Sequence, residues 1–134
     1  MFTLELFIIT HTFAHLIVPA PKDVIMTGRT SFSLQIGWQF HMQLLGNPDD
    51  VIGFSVHYTL TSQVSWEETF LPGKDVRAHT IENLLAYSNY TVYLKAHATE
   101  SGNQVSSQES VNVTLLTEED GMHVSEIYKC LKNC

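Results

Sequence analysis

Leu84-Leu85-Ala86-Tyr87-Ser88-Asn89-Tyr90-Thr91-Val92-Tyr93-Leu94-Lys95-Ala96-His97-Ala98 is the stretch whose pattern decides the fold. From Tyr90 onward the residues alternate. Tyr90, Val92, Leu94 and Ala96 share one parity, and Thr91, Tyr93, Lys95 and His97 share the other. Successive side chains of a strand point to opposite faces, so this run reads as a strand with one buried and one wetted face. A short turn-like segment beginning at Leu84 precedes it. A tyrosine at such a position buries its ring and turns its hydroxyl to the backbone a few residues upstream, the corner found in Greek-key sandwiches.

The same alternation recurs on both sides. Upstream, Phe32, Leu34, Ile36, Trp38 and Phe40 alternate with Ser33, Gln35, Gly37 and Gln39, which predicts a half-buried strand over 31–40 with Trp38 inward. Gly46-Asn47-Pro48-Asp49-Asp50 is a strong loop signal. Val51–Leu60 resumes the alternation, with Ile52, Phe54, Val56 and Tyr58 on one parity. A shorter strand over Val64–Leu71 contains Trp66, Pro72-Gly73-Lys74-Asp75 forms a turn, and Val76–Asn83 leads into the corner. Pro19 and Pro21 precede a first edge strand, where a missing ladder donor is tolerated, and Gly28-Arg29-Thr30 reads as a turn. Downstream, Thr99–Gln104 reads as a polar loop, and Val105–Thr117 closes the set. The pattern predicts an all-β, seven-stranded antiparallel Greek-key sandwich, with Trp38, Leu84 and Tyr90 in its structural core.

Composition bounds the function. Of the 134 residues, Lys plus Arg number 7 and Asp plus Glu 14, a net charge of −7. No basic patch is present to neutralise phosphates, which argues against nucleic acid as a partner. An apolar fraction of 44% suffices for one core. Residues 1–20 form a signal-like or extension segment. Leu6-Phe7-Ile8-Ile9 and the uncharged run from Thr10 suit a secretory signal cut near Val18-Pro19-Ala20, whereas Glu5 and the lack of Lys or Arg near Met1 do not. Residues 119–134 read as a tail in which Ser125 can cap a short helix through Leu131. The only cysteines, Cys130 and Cys134, lie in that tail, so the body has no internal disulfide. They bridge each other, pair with another chain or stay free; the spacing leaves these open.

Candidate chemistry is sparse. His11 and His15 share a face if helical, and His123, Cys130 and Cys134 are soft ligands, but the second paired motif of a zinc site is missing. No metal or other cofactor is expected. His57 and His97 fall on the outward parity and read as exposed neutral imidazoles; His79, on the parity of Ile81, reads as partly buried and hydrogen-bonded. Glu67 and Glu68 are adjacent on a strand and point to opposite faces, so they make no acid–base pair. Without a nucleophile motif or a phosphate-binding loop, the chain reads as non-enzymatic. Trp66 is expected to pack across the sheet near Tyr58 or Tyr93, with an exposed interface anchor as the other reading. Asn89-Tyr90-Thr91 and Asn112-Val113-Thr114 are N-glycosylation acceptors whose asparagines lie opposite the buried parity.

Taken in order, the residues resemble a fibronectin type III domain over 21–118. Pro21 precedes the first strand, Leu34-Gln35-Ile36-Gly37-Trp38 marks the second, and Gly53-Phe54-Ser55-Val56-His57-Tyr58 the third. Ile81, Leu84 and Tyr90–Ala96 match the corner and the strand after it; Gly102, Ser106 and Thr117-Glu118 match the last loop, the closing strand and the exit. Ala86 stands where the family usually has Pro, Ser88 where Thr is common, and Phe54 where Tyr is commoner. An immunoglobulin domain would want a cysteine pair across the sheets, and a cytokine-receptor domain a Trp-Ser box that Ser106–Ser110 lacks. The resemblance implies an extracellular interaction or adhesion module of a receptor, adhesion molecule or matrix protein, touching a membrane only through a parent chain. It implies contact loops at one end, with Asn47, Asp49, Asp50, Glu100, Ser101, Asn103 and Gln104 as contact candidates and a protein as partner. No Arg-Gly-Asp tripeptide lies in 99–104. The alternative is a structural spacer between neighbouring domains of a larger chain.

Overall fold

Val51–Leu60 (β3) and Asn89–Glu100 (β6) pair antiparallel from Val51 opposite Ala98 to Leu60 opposite Tyr90. The remaining strands form around this ladder in a computed structural model that describes residues 17–42 and 50–120. They are β1 (Lys22–Arg29), β2 (Leu34–Gln39), β4 (Glu67–Pro72), β5 (Ala78–Ile81), β7 (Asn103–Ser106) and β8 (Val113–Leu116). One sheet has the order β1-β2-β5 and the other β4-β3-β6-β7, with β8 also pairing β6. The architecture is the expected antiparallel sandwich, with eight strands among the described residues where seven were expected.

The extra strand comes from the closing stretch. It follows β6 along its length, but 107–112 leave the ladder geometry. There Ser107 Oγ accepts from Ala96 N–H and Ser110 Oγ from Leu94 N–H, both at 2.8 Å. The Ser107 and Ser110 amides return bonds to the Ala96 and Leu94 carbonyls. Two serine hydroxyls thus satisfy the β6 donors that a continuous strand would have met. Alternation also overreached at strand ends. Phe32, Val64 and Val111 lie outside the strands and are exposed.

Phe54, Val56, Val92, Leu94 and Ala96 face Leu34 and Ile36 across the sandwich with no exposed surface. Each larger aliphatic or aromatic side chain so buried contributes about 1.5–3 kcal/mol. Trp38 and Phe40 meet Phe54 with ring centroids 5.7 and 5.1 Å apart. The Arg77 guanidinium lies 5.5 and 5.2 Å from the Phe40 and Phe54 rings and donates to the Phe40, Lys74 and Val76 carbonyls. It closes one end of the core with a cation over two aromatic faces.

At the other end the Leu85 N–H donates to the Tyr90 hydroxyl at 2.8 Å. Buried Thr117 donates its hydroxyl to the Leu85 carbonyl at 2.7 Å and accepts from Ser88 N–H at 3.0 Å. Glu118 N–H reaches Thr30, and Tyr87 N–H reaches the Glu118 carbonyl. Corner, first hairpin and chain exit are therefore one hydrogen-bonded unit. Tyr90→Phe keeps the ring and removes the acceptor of Leu85 N–H. It is expected to cost about 1–3 kcal/mol, read as a lower urea midpoint at unchanged m-value.

Candidate functional site

The Val51–Ala98 register sets Asp50 beside the β6–β7 hairpin. Gly53 opposite Pro72, and Gly73 N–H on the Ile52 carbonyl, bring the β4–β5 turn to the same end. The stretch 99–104 is tighter than the expected loop. Glu100 pairs with Asn103, and only Ser101 and Gly102, at φ 50° and 82°, form the connection. Positive φ at both central residues is the two-residue turn that matches strand twist. Glu100, Asn103 and Gln104 are thus strand residues. Asn47, Asp49, Cys130 and Cys134 lie outside the described residues, as do His11, His15 and His123. Asn89 and Asn112 are both exposed, at the start of β6 and just before β8.

The outer face of the β4-β3-β6-β7 sheet departs from the sequence reading. His57 and His97 are not exposed imidazoles; they are 9% and 7% accessible, and Ser55 between them is fully buried. Parity put them on the outward face correctly, but side chains from neighbouring strands cover them. The His57 ring stacks on Tyr93 at 4.5 Å and 4°. Trp66 abuts Tyr93 edge-on at 5.0 Å, and Phe70 tilts against His97 at 5.8 Å. Trp66 therefore packs on Tyr93 while remaining 42% exposed. Gly53 makes room for this cover. A Cβ there would sit 2.3 Å from the Leu71 carbonyl oxygen and 2.8 Å from the Phe70 ring, beside a register shift in β3. This bulge and glycine are the device that lets an aromatic lie across the strand.

Under the cover, Ser55 Oγ is 2.8 Å from His57 Nε2 and 2.7 Å from His97 Nε2. His97 Nδ1 is 2.8 Å from Ser106 Oγ and 3.1 Å from Gln104 Nε2. Burial holds the pKa of His57 below the usual histidine value; Glu68, 4.0 Å from Nε2, and Glu109 pull it back up, and Lys95 adds to the lowering. Burial also lowers His97, with Glu68 opposing and His57 and Lys95 reinforcing. Half-buried His79 is lowered by burial, with Glu82 opposing. Burial pushes the Tyr93 hydroxyl up, and Glu109, which it hydrogen-bonds, and Glu68 push the same way.

A serine beside a histidine is also the pattern of an activated nucleophile. Here the hydroxyl is sealed beneath aromatic rings, and neither the cavity lined by Lys95 and 107–112 nor that lined by Phe40, Met42, Val51 and Arg77 includes it. Among the described residues no group of three His, Cys, Asp or Glu is placed to hold a metal ion, and no helix is long and apolar enough to cross a membrane. The arrangement is a polar, aromatic-capped surface beside a hairpin end. Its signal in the sequence was available: Ser55 and His57, Tyr93 and His97, and Trp66, Glu68 and Phe70 are the outward parities of three adjacent strands.

The fibronectin type III domain profile matches residues 19–114. A sidekick homolog of Caenorhabditis elegans is 32% identical over 80 residues, which cover 58% of this chain and 3% of that protein. Human protogenin is 31% identical over 94 residues, which cover 69% of this chain and 8% of that protein. The chain thus spans under a tenth of the length of these curated relatives. Among solved structures, a myokine superposes with TM-score 0.62 at 19% identity, over 76% of this chain and 99% of its own. A set of titin domains superposes with TM-score 0.61 at 16% identity, over 77% of this chain and 33% of theirs.

The buried histidines set a pH dependence. An unfolded histidine takes up a proton near 6.5, whereas His57, His79 and His97 in the folded chain do so only at lower pH. Between those values the unfolded state holds more protons, so stability falls as pH drops below 6.5 and is undiminished by these groups above it. Urea midpoints at pH 7.5 and 5.5 are expected to differ in that direction, and by less in the double variant His57→Gln, His97→Gln.

Proposed function

The chain belongs to the fibronectin type III domain family, and from that membership we propose that it is a non-catalytic protein–protein interaction module of an extracellular chain, secreted or part of a receptor ectodomain. The observation that carries this reading is the convergence of Asp50, the β4–β5 turn and the β6–β7 hairpin at one end of a rigid sandwich. Recognition residues sit disproportionately on connections held by such a scaffold. The domain spans 21–118, and its protein partner is met through Asn47, Asp49, Asp50, Glu100, Ser101, Asn103 and Gln104. Asn89 and Asn112 carry N-glycans, as their exposure and their sequons allow.

One observation favours a spacer as the second reading. The exit is clamped: Arg29 donates to the Leu116 carbonyl at 3.0 Å, Ser31 Oγ donates to the Glu119 carbonyl, and Thr117 is stitched to the corner. An exit held in this way suits a domain that orients a neighbour.

Expression through a mammalian secretory pathway, with intact mass before and after glycosidase, tests the setting. Two glycans are expected, one lost in Asn112→Gln and the other in Asn89→Gln. Binding of the multimerised domain to a panel of cell lines separates the two readings. Recognition predicts at least a tenfold loss of binding in the variant Asp50→Ala, Ser101→Ala, Asn103→Ala, in the range of interface hot spots; a spacer predicts no difference.

A further inference from the structure

Among the described residues the β4 strand is held to its sheet on one side only, by β3. Its outward side chains, Glu68 and Phe70, lie against His57 and His97. We propose that the His57–Ser55–His97 row is an acid-operated latch: neutral, it holds β4 down as a cover; on taking up protons, it releases that edge strand.

The hydrogen-bond pattern gives the reason. With the Gln104 amide donating to His97 Nδ1, His97 carries its proton on Nε2 and donates to Ser55 Oγ. The Ser55 hydroxyl then donates to His57 Nε2, so each link in the row holds one proton. Protonating His57 puts a second donor against Ser55, whose own hydrogen is left unpaired in a fully buried site. Protonating His97 turns Nδ1 into a donor, which Ser106 Oγ at 2.8 Å accepts, and the Gln104 amide loses its acceptor. Glu68 meets the charge on His57, whereas His97 has only the neutral Ser106 and Gln104 at hydrogen-bond distance beyond the row, so a charge there requires water. The other face of β3 and β6 is the dry core, and on the β7 side Ser106 and Gln104 are tied to His97. That leaves β4, the edge strand paired with β3 alone among the described residues, as the proposed place of opening.

The groups facing the row order the steps. From β4, Glu68 lies 4.0 Å from His57 Nε2 and draws the first proton there. From β6, Lys95 and the newly charged His57 oppose a second proton on His97, which β7 supplies only with the neutral Ser106 and Gln104. Tyr93 of β6 stacks on His57, and Glu109 beyond β7 favours its charge from further away. The second proton therefore springs the latch. Burial keeps the row neutral near pH 7 and places its titration on the acid side of the usual histidine range. Release uncovers the β3 edge and carries Trp66 and Phe70, 42% and 45% exposed, off the face they present at neutral pH.

The test is amide hydrogen exchange on the whole chain from pH 7.5 to 4.5, corrected for intrinsic rates, with His57 and His97 ring resonances followed in parallel. Protection over 67–71 is expected to fall tenfold or more in step with His97, while Val92 and Leu94 stay protected. Lys95→Gln is expected to move the release to higher pH and Glu68→Gln to lower pH. The His57→Gln, His97→Gln double variant is expected to abolish its pH dependence. If that variant does not fold, the two charge variants decide. The proposal is overturned if 67–71 stay protected while both rings titrate, if both rings remain neutral to pH 4.5, or if the charge variants leave the midpoint in place.

Discussion

The bond from Leu85 N–H to the Tyr90 hydroxyl fixes how the chain passes from one sheet to the other. β5 belongs to the first sheet and β6 to the second, and only residues 82–88 connect them. A crossing that short holds its angle only if its backbone groups find partners. Tyr90 brings one from the core, and Thr117 brings two from the closing strand's exit. Part of the gain offsets local strain: Asn83 and Tyr87 sit at φ 61° and 46°, a left-handed conformation costing an L-residue about 1–2 kcal/mol. Ala86 gives up the rigidity that proline brings to such a corner. The Ser88 hydroxyl on the Ala86 carbonyl at 2.8 Å holds the turn by hydrogen bonding instead.

Much of this was legible because the corner is local. Leu84, the following turn and Tyr90 lie within a few residues, and the alternation after Tyr90 runs the length of β6. The inner parity named the core residues Phe54, Val56, Val92, Leu94 and Ala96. Alternation says less about where a ladder ends. Phe32 has the parity of Leu34 but precedes the strand, in the turn where Thr30 N–H reaches the Ser33 carbonyl. The split of the closing stretch was hidden for a related reason. Ser107 and Ser110 replace backbone partners with side-chain ones, and a period-two count does not distinguish the two.

The outer face was legible in placement and illegible in burial. Parity assigns His57 and His97 to a face; it does not say what lies over them. That depends on register: Glu68 opposite His57, Phe70 opposite Ser55, Tyr93 opposite His57. Register follows from the bulge between Val51 and Gly53 and from the hairpin turns, which no single strand pattern contains. Arg77 escaped notice in the same way. Its role depends on Phe40 and Phe54 converging from two sheets beneath one guanidinium.

The hairpin end and the histidine row are not independent, because Gln104 belongs to both. It is a β7 residue beside the Ser101-Gly102 turn, and its amide is engaged with His97 Nδ1. While His97 is neutral, that amide is occupied and the β7 side chain is fixed. A protonated His97 no longer accepts from it, and the amide is freed at the end where Asp50 and the β6–β7 hairpin converge. Linkage makes this reciprocal: a partner that draws the Gln104 amide away from His97 raises that ring's proton affinity by the same factor that protonation raises the partner's affinity. A partner that needs the hairpin in its neutral-pH arrangement is coupled with the opposite sign. If the hairpin is the contact end proposed above, this one side chain sets whether acid strengthens or weakens contact there.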